Sequence, residues 1–261
     1  MSGLVVVGAG GFARETAQAV RAAHASGGGP PLLGHLDDDP ALHGREVDGA
    51  PVLGGCELVH RLLRDRPGAQ AVVCVGSPRD YAVRARLVRR LGLPPHQYAT
   101  VVHPGAAVAA GCTVGPGSVL LAHAVLTAAV RVGAHVAVMP QTVLTHDDVV
   151  GDFATIASGV RLGGGVRVGR GAYVGAGALV REYARIGDWS LLGMGSTVLG
   201  DVPPGEVWVG SPARRLRPAA APALAELRTD AELSTDAELS TDAELRTEVD
   251  ELMNTPEEYR I

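Results

Sequence analysis

The chain has 261 residues, of which 46% are hydrophobic and only 3% aromatic, and it contains 35 glycines. Its formal net charge of -5 is uneven, because residues 219–261 carry twelve acidic side chains against three Arg, whereas residues 1–218 have a net charge of +4. That basic excess is too small to indicate nucleic-acid binding, and no apolar run is long enough to span a membrane.

Three cysteines, Cys56, Cys74 and Cys112, show neither a paired disulfide framework nor the spacing of metal ligands. A reduced protein without a bound metal is therefore expected. The N-terminal residues do not have the pattern of a signal peptide. We predict a cytoplasmic protein.

The first 102 residues alternate short apolar strands with helical segments. Strands are predicted over 4–7, 32–36 and 71–75, and helices over 12–23, 56–66 and 79–91. Strands that alternate with helices indicate a small parallel α/β domain, which we place at 1–102. Ligands of such domains bind across the carboxyl ends of the strands.

Two parts of this domain have residues suited to ligand contacts. Gly10 and Gly11 belong to a glycine turn before a helix, where backbone N–H groups can approach a phosphate; a tight turn without a ligand is the alternative. Asp37 and Asp38 follow the second strand and can accept hydrogen bonds from a ribose or a base; a solvated acidic turn is the alternative. Gly76 ends the third strand at the same edge.

A strict six-residue period occupies the middle of the chain. Every sixth residue from Val108 to Val198 is aliphatic, without an insertion. A period of six fits neither a helix nor a simple strand. It predicts a triangular coil with three short strands per turn, aliphatic residues inside and a parallel ladder between turns. We assign residues 103–216 to this solenoid, closed by a strand and cap over 207–214.

One corner of the predicted coil carries a polar cluster. His146 and Asp147 are followed by Asp148, which stands where other hexads have a small residue. Residues eighteen positions away stack above and below His146, and both Ala128 and Gly164 are small, which leaves an open slot beside the imidazole. Asp147 can accept a hydrogen bond from one ring nitrogen and leave the other free as a base. Two further histidines of the solenoid carry less weight, because a corner histidine is usually inert: His123 and His135.

The segment 143–159, Val-Leu-Thr-His-Asp-Asp-Val-Val-Gly-Asp-Phe-Ala-Thr-Ile-Ala-Ser-Gly, resembles the catalytic segment of the bacterial left-handed β-helix (hexapeptide-repeat) sugar O/N-acyltransferases. That family includes sialic-acid O-acetyltransferases and N-acetyltransferases of nucleotide-linked 4-amino sugars. The resemblance covers residues 3 to about 216. It implies a Rossmann-like nucleotide-sugar-binding domain before a left-handed β-helix, and a homotrimer with CoA between neighbouring prisms.

The resemblance also implies a role for individual residues. His146 becomes the general base, and Asp147 raises its basicity. The positions that hold the nucleotide-linked acceptor are Gly10, Gly11, Phe12, Asp37, Asp38 and Gly76. The positions along the acyl-CoA path are Thr155, Gly164, Ala176 and Met194. Thr155 departs from the family, whose members often carry a second His there that contacts the thioester.

The implied reaction is direct transfer of an acyl group, normally acetyl from acetyl-CoA, to the amine of a nucleotide-linked amino sugar, without a metal. O-acetylation of a hydroxyl, for example on a sialic acid, is the close alternative. A non-catalytic hexapeptide-repeat binding protein is the alternative from another class, and the pair His146–Asp147 argues against it. A dinucleotide-dependent oxidoreductase is disfavoured, because the glycine pattern after the first strand is incomplete.

The last segment, 217–261, has a six-residue repeat of its own, out of register with the solenoid. Its leucines are Leu227, Leu233, Leu239 and Leu245. On a helix this period places successive leucines about 120° apart, so they form no apolar stripe. We predict an acidic tail that is disordered or loosely helical.

Overall fold

The computed structural model describes residues 3–233. The repeat leucines Leu239 and Leu245 lie outside the described residues. No helix in the described part is long and apolar enough to cross a membrane.

The N-terminal part is a small α/β unit. Its strands are β1 (Leu4–Val7), β2 (Leu32–Leu36), β3 (Glu46–Val47), β4 (Ala50–Pro51) and β5 (Gln70–Val73), and its helices are α1 (Gly11–Ala25), α2 (Val59–Asp65) and α3 (Val83–Leu91). β1, β2 and β5 form a parallel sheet in the order β2-β1-β5, while β3 and β4 form an antiparallel hairpin. The predicted alternation of strands and helices is confirmed, in a sheet of only three parallel strands.

Side chains of β1 alternate between the two sides of this sheet, as the pleat requires. Val5 and Val7 pack in a cluster with residues of α2 and α3. Leu4 and Val6 pack with α1 and with the first strands of the solenoid. The sheet therefore has helices on both sides, and one of its sides faces the solenoid.

The solenoid consists of two-residue strands that repeat on three faces. The first face contains Val101–Val102, Val119–Leu120, Ala137–Val138, Thr155–Ile156, Tyr173–Val174 and Leu191–Leu192. The second face contains Ala107–Val108, Val125–Leu126, Val143–Leu144, Arg161–Leu162, Leu179–Val180 and Thr197–Val198. The third face contains Thr113–Val114, Arg131–Val132, Val149–Val150, Arg167–Val168 and Arg185–Ile186. We number these strands β6 to β22 in chain order.

Pairing in the solenoid follows the predicted eighteen-residue register, for example Val125 with Val143 and Leu126 with Leu144. The second residue of most strands is buried in a single core that runs along the prism. The first solenoid strand, Val101–Val102, precedes the predicted start at 103, because it pairs with Val119–Leu120. The predicted closing strand is present as β23 (Glu206–Gly210), which pairs antiparallel with β24 (Ala213–Pro218).

Glycine occurs at the corners of the solenoid for two separate reasons. The third residue of a corner has a positive φ, as at Gly159 and Asp147, a conformation that glycine and Asp tolerate best. A glycine directly after the aliphatic residue, such as Gly151, has a different reason: a Cβ there would meet the backbone of Gly169 and Arg170 in the next turn. The glycines of this second group are therefore favoured by close packing between turns and not by a positive φ.

Other parts of residues 3–233 cover the first face of the solenoid and leave its second and third faces open. α1 lies against its first strands, while α3 and a helix over 221–233 pack near Tyr173, Trp189 and Leu191. The outward residues of the second face are Ala107, Val125, Val143, Arg161, Leu179 and Thr197, and those of the third face are Thr113, Arg131, Val149, Arg167 and Arg185. One uncovered face is thus largely apolar, and the other is rich in arginine.

The described part of the tail, which the sequence predicts to be disordered or loosely helical, contains a helix. Residues 217 and 218 complete β24, and 221–233 form a helix. Ala223 and Leu227 of this helix join the cluster around Trp189, and Asp230 accepts a hydrogen bond from the Trp189 indole at 2.6 Å. The prediction followed only leucines six apart, whereas the packed face uses positions 223, 227 and 230, which follow helical spacing.

Candidate active site

The corner between the second and third faces carries the predicted catalytic pair. It joins Val143–Leu144 to Val149–Val150 and is held by Asp148, whose side chain is fully buried. Asp148 Oδ2 accepts the N–H of Thr145 and Oδ1 accepts the N–H of Val166 in the next turn, both at 2.8 Å. Burial raises the pKa of the Asp148 carboxyl to about 7, although the two backbone N–H groups act in the opposite direction. Asp148 therefore fixes the corner from inside.

His146 and Asp147 project outward from this corner. His146 Nδ1 lies 2.9 Å from Asp147 Oδ2, and the two side chains are 58% and 69% exposed. With its proton on Nδ1, the imidazole donates to the carboxylate and presents the Nε2 lone pair to solvent. The arrangement is that of a base whose tautomer is set by a neighbouring carboxylate.

The floor beside His146 is made of glycine. A methyl group at Gly164 would overlap Cε1 and Nε2 of the imidazole, so the ring lies directly over this residue. A Cβ at Gly165 would lie 2.7 Å from Cδ1 of Tyr183. The Tyr183 side chain is 75% exposed and flanks the same glycine corner, although the sequence analysis did not single it out.

A cleft of about 340 Å³ lies between the α/β unit and the first face. Four predicted residues line it, two from the acceptor set and two from the acyl-CoA set: Phe12, Gly76, Thr155 and Ala176. Met194 follows Ala176 by one full turn of the coil and is 82% exposed. The structure therefore brings three of the four predicted CoA positions to one side of the prism, whereas Gly164 lies at the His146 corner.

Arg84, in the first turn of α3, is a wall of this cleft that the sequence analysis missed. Its side chain is buried, and its Nη2 donates to the carbonyls of Phe153 and Ala154 and to Oγ1 of Thr155 at 2.8–3.0 Å. Its guanidinium also lies 5.9 Å from the centre of the Phe12 ring. Burial lowers the pKa of Arg84 to about 10. Sequence alone had no signal for it, because α3 carries several arginines.

A second cavity of about 320 Å³ opens at the carboxyl ends of β1, β2 and β5. Asp37 and Asp38 line it, as the sequence predicts. Asp37 accepts the N–H groups of Ala9 and Asp39. Asp38 accepts the N–H of Cys56 and pairs with Arg90, and the hydrogen bond from Arg90 is the main cause that lowers the pKa of Asp38 to about 2.

The remaining predicted acceptor residues lie apart from these two cavities. Gly10 precedes α1 with extended backbone, and space is open around both Gly10 and Gly11. Gly11 borders a shallow groove with Arg14 and Asp48. The predicted acceptor set is thus spread over three neighbouring depressions on the α/β unit. Among residues 3–233, no group of three or more His, Cys, Asp or Glu side chains could hold a metal ion.

No family model and no curated protein matches the sequence. Solved structures, in contrast, are similar to this chain. The acetyltransferase domain of PglB from Neisseria gonorrhoeae, in complex with acetyl coenzyme A, is 29% identical, with a TM-score of 0.71, over 82% of this chain and 98% of that domain. A variant of perosamine N-acetyltransferase from Caulobacter crescentus, in complex with CoA and GDP-perosamine, is 27% identical, with a TM-score of 0.74, over 83% and 97%. WeeI from Acinetobacter baumannii is 26% identical, with a TM-score of 0.68, over 83% and 100%.

The repeat, the prism and these likenesses define a hexapeptide-repeat left-handed β-helix protein. Within that class the chain is an acyltransferase, because its likeness to acetyltransferases extends over nearly the whole of their length. The resemblance to hexapeptide-repeat sugar acyltransferases that residues 143–159 carry is thereby confirmed.

Proposed function

We propose that this chain transfers an acetyl group from acetyl-CoA to the amine of a nucleotide-linked amino sugar. The observation that carries the proposal is the pair His146–Asp147, held over Gly164 with one imidazole nitrogen free. Similar solved structures contain acetyl coenzyme A in one case, and CoA with GDP-perosamine in another. These ligands are of the two classes that the resemblance implies.

In the proposed reaction, Nε2 of His146 removes a proton from the acceptor amine as its nitrogen attacks the thioester carbonyl carbon. The new C–N bond forms, the C–S bond breaks, and CoA leaves as the thiol after protonation. The carboxylate of Asp147 stabilises the imidazolium that forms.

A covalent enzyme intermediate on cysteine does not fit the structure. Cys56 and Cys74 are buried, and burial raises the pKa of each thiol to about 12. Both are therefore protonated at neutral pH and are poor nucleophiles. Cys112 is partly buried against the solenoid core.

We assign the nucleotide to the α/β unit. The cavity at the carboxyl ends of its parallel strands has the location where such sheets bind ligands. Asp37 and Asp38 offer carboxylate oxygens there, and the guanidinium groups of Arg86 and Arg90, each paired with an Asp, offer N–H donors to a phosphate. Gly10 and Gly11 provide open backbone at the start of α1.

We assign the acyl donor to the side of the prism that carries Thr155, Ala176 and Met194. His146 lies on another corner of the same chain, so a second copy has to supply the base to this cleft. The second face lies between these two corners. It is largely apolar and is not covered by any part of the chain within residues 3–233, and Leu179 on it is 45% exposed. A homotrimer with the second faces inward buries this surface and brings each His146 corner to the next chain's cleft.

The test is release of CoA, followed with a thiol reagent, from acetyl-CoA and a panel of UDP-, dTDP- and GDP-linked amino sugars. Wild type and His146→Ala are compared. We expect turnover with at least one amino sugar and its loss in the variant. Release only with hydroxyl acceptors would replace N-acetylation by O-acetylation, and release unaffected by His146→Ala would contradict the assigned base.

A further inference from the structure

The third face of the solenoid carries an exposed row of arginines. Its outward residues are, in order along the prism, Thr113, Arg131, Val149, Arg167 and Arg185. The three arginine side chains, which we call the arginine row, are exposed. Adjacent strands lie about 4.8 Å apart, so the row extends over roughly 14 Å. Arg167 and Arg185 are direct neighbours, and because like charges opposite each other are destabilising, this face favours a negatively charged ligand.

The arginine row has no counter-charge within residues 3–233. None of its three side chains forms an ion pair with an acidic side chain of that part of the chain. Two acids on the corner that joins this face to the first face are engaged with Arg170. Asp152 pairs with its guanidinium, and Asp188 accepts its backbone N–H. The charge of the row is therefore available to another segment or molecule.

The tail helix, 221–233, brings the acidic end of the chain to the edge of this face. Asp230 forms an ion pair with Arg170, on the corner between the third and first faces. Glu226, one turn earlier in the helix, is buried and pairs with Arg89 of α3. The described part of the tail thus already binds arginines through its acids. Residue 233 follows Asp230 by three positions, which is less than one helical turn.

The residues that follow the tail helix have the charge that the arginine row lacks. Residues 234–261 contain nine acidic residues and two Arg, a net charge of -7, whereas residues 1–233 contain 19 acidic residues and 21 Arg, a net charge of +2. About five residues of extended chain span the length of the row. A segment of 28 residues that begins at the edge of the face is therefore long enough to reach all three arginines.

We propose that residues 234–261 dock on the arginine row of their own chain, with their carboxylates against its guanidinium groups. A single exposed ion pair contributes little. The segment is attached at the edge of the face, however, so its effective concentration there is high and several pairs act together. The proposed homotrimer turns the second faces inward and leaves the third face open for this contact. The docking does not depend on the proposed acyl transfer.

Zero-length cross-linking tests the contact in the full chain. The sequence contains no lysine, so Arg167→Lys keeps the charge of the row and supplies the only side-chain amine. A carbodiimide joins this amine to a carboxylate in direct contact, and mass spectrometry identifies the linked peptides. We expect links from position 167 to acidic residues within 234–261.

Arg66→Lys is the matched control for the cross-linking. Arg66 is also exposed, but it lies at the end of α2 in the α/β unit, so its amine should form no link to 234–261. Co-expression of an Arg167→Lys chain with a differently tagged Met253→Leu chain identifies the origin of the linked segment by its mass. We expect the segment that contains methionine, which belongs to the same chain as the lysine.

Proteolysis gives a second measurement, without a cross-linker. Glutamyl endopeptidase cleaves after Glu residues of 234–261, and docking should slow this cleavage. Replacing all three arginines of the row by Gln should raise the cleavage rate several-fold relative to wild type. The ratio of the two rates should fall to about one in about 1 M salt, where the Debye length is about 3 Å.

A second triple variant controls for net charge in the proteolysis. Replacing Arg45, Arg64 and Arg66 by Gln removes the same charge from exposed positions of the α/β unit and should leave the cleavage rate at the wild-type value. Thermal melts of both triple variants show whether either change unfolds the chain. The cross-linking stands on its own if the row variant does not fold.

Each other outcome overturns the docking. Links from Arg167→Lys only to carboxylates within residues 3–233, or equal cleavage rates in the two triple variants, would contradict it. Links to the Met253→Leu segment would assign the row to the tail of a second copy. Nucleic acid that remains bound to purified wild type, and is lost from the row variant, would assign the row to an external polyanion. CoA release is measured separately, so failure of the docking and failure of the acyl transfer are distinguishable.

Discussion

The His146 corner and the Thr155 cleft are built in opposite ways. At the corner, the chemical groups are exposed, and their support comes from residues within one turn of the coil, Asp148 and Gly164. In the cleft, the Thr155 hydroxyl accepts a hydrogen bond from Arg84, and Phe12 lines the same cleft. Arg84 and Phe12 both come from other parts of the chain. A regular repeat can thus place a base by local spacing, whereas a buried charge requires two separate parts of the fold to meet.

The largest expected effect comes from replacing His146, which should remove activity without lowering the stability of the fold. His146→Gln should lower kcat by about 10²–10⁴, the usual contribution of a general base, while the melting temperature stays within about 1 °C because the side chain is exposed. Kinetics and thermal melts check both parts. His123→Gln is the control, since Gln141 occupies the equivalent position one turn later with the same positive φ. Equal losses in the two variants would contradict a special role for the His146 corner.

Replacing the buried Asp148 should lower the stability of the fold, in contrast to replacing its exposed neighbours. Asp148→Ala leaves the N–H groups of Thr145 and Val166 without an acceptor, which we expect to lower the free energy of unfolding by about 2–4 kcal/mol. Urea denaturation at a fixed protein concentration measures this. Asp147→Asn is the control, because it keeps a residue that tolerates the left-handed backbone and should change stability by less than about 1 kcal/mol. Similar free energies of unfolding for the two variants would contradict the prediction that Asp148 stabilises the corner.

The corner between the third and first faces should make the fold sensitive to acid. His135 is buried there between Tyr98 and Phe153. Burial lowers the pKa of His135 to about 4; the positive charges of Arg84 and Arg170 lower it further, whereas the negative charge of Asp152 acts in the opposite direction. The unfolded chain binds this proton first, so stability rises with pH between about 4 and 6.5. Relative to His135→Phe, wild type should lose up to about 3 kcal/mol as the pH falls through that window.

Urea unfolding of both proteins between pH 4 and 8 tests the acid prediction. The difference in free energy of unfolding between them should be constant above pH 7 and should grow below it. Parallel curves across the whole range would show that His135 is protonated as easily in the fold as in the unfolded chain.

The smallest expected effect concerns the floor of the corner. Gly164→Ala displaces the imidazole, because a methyl group would overlap Cε1 and Nε2, and we expect kcat to fall about tenfold through misplacement of the base. Gly200→Ala is the matched control: it lies in the same stack two turns away, with nothing within 4 Å of the added methyl. A kcat unchanged by Gly164→Ala would show that the ring has another productive position.

Particular elements show how much of the structure could be predicted from the sequence. The hexads predicted the register of the prism, down to the pairing of Val125 with Val143, because a repeat imposes the same contacts at every turn. The same reasoning placed Gly164 against His146. The repeat of leucines did not reveal the packed face of the tail helix, because Ala223, Leu227 and Asp230 on that face do not follow the six-residue period.

The sequence by itself determined the solenoid, its register and the pair His146–Asp147, since all three depend on spacing within one or two turns of the coil. Only the tertiary structure decided that Arg84 reaches Thr155, that the first face is covered, and that His146 is not among the residues lining the cleft of its own chain. The physical reason is separation along the chain. Contacts between residues 70 or more positions apart depend on how two packed units meet, and no local period records that arrangement.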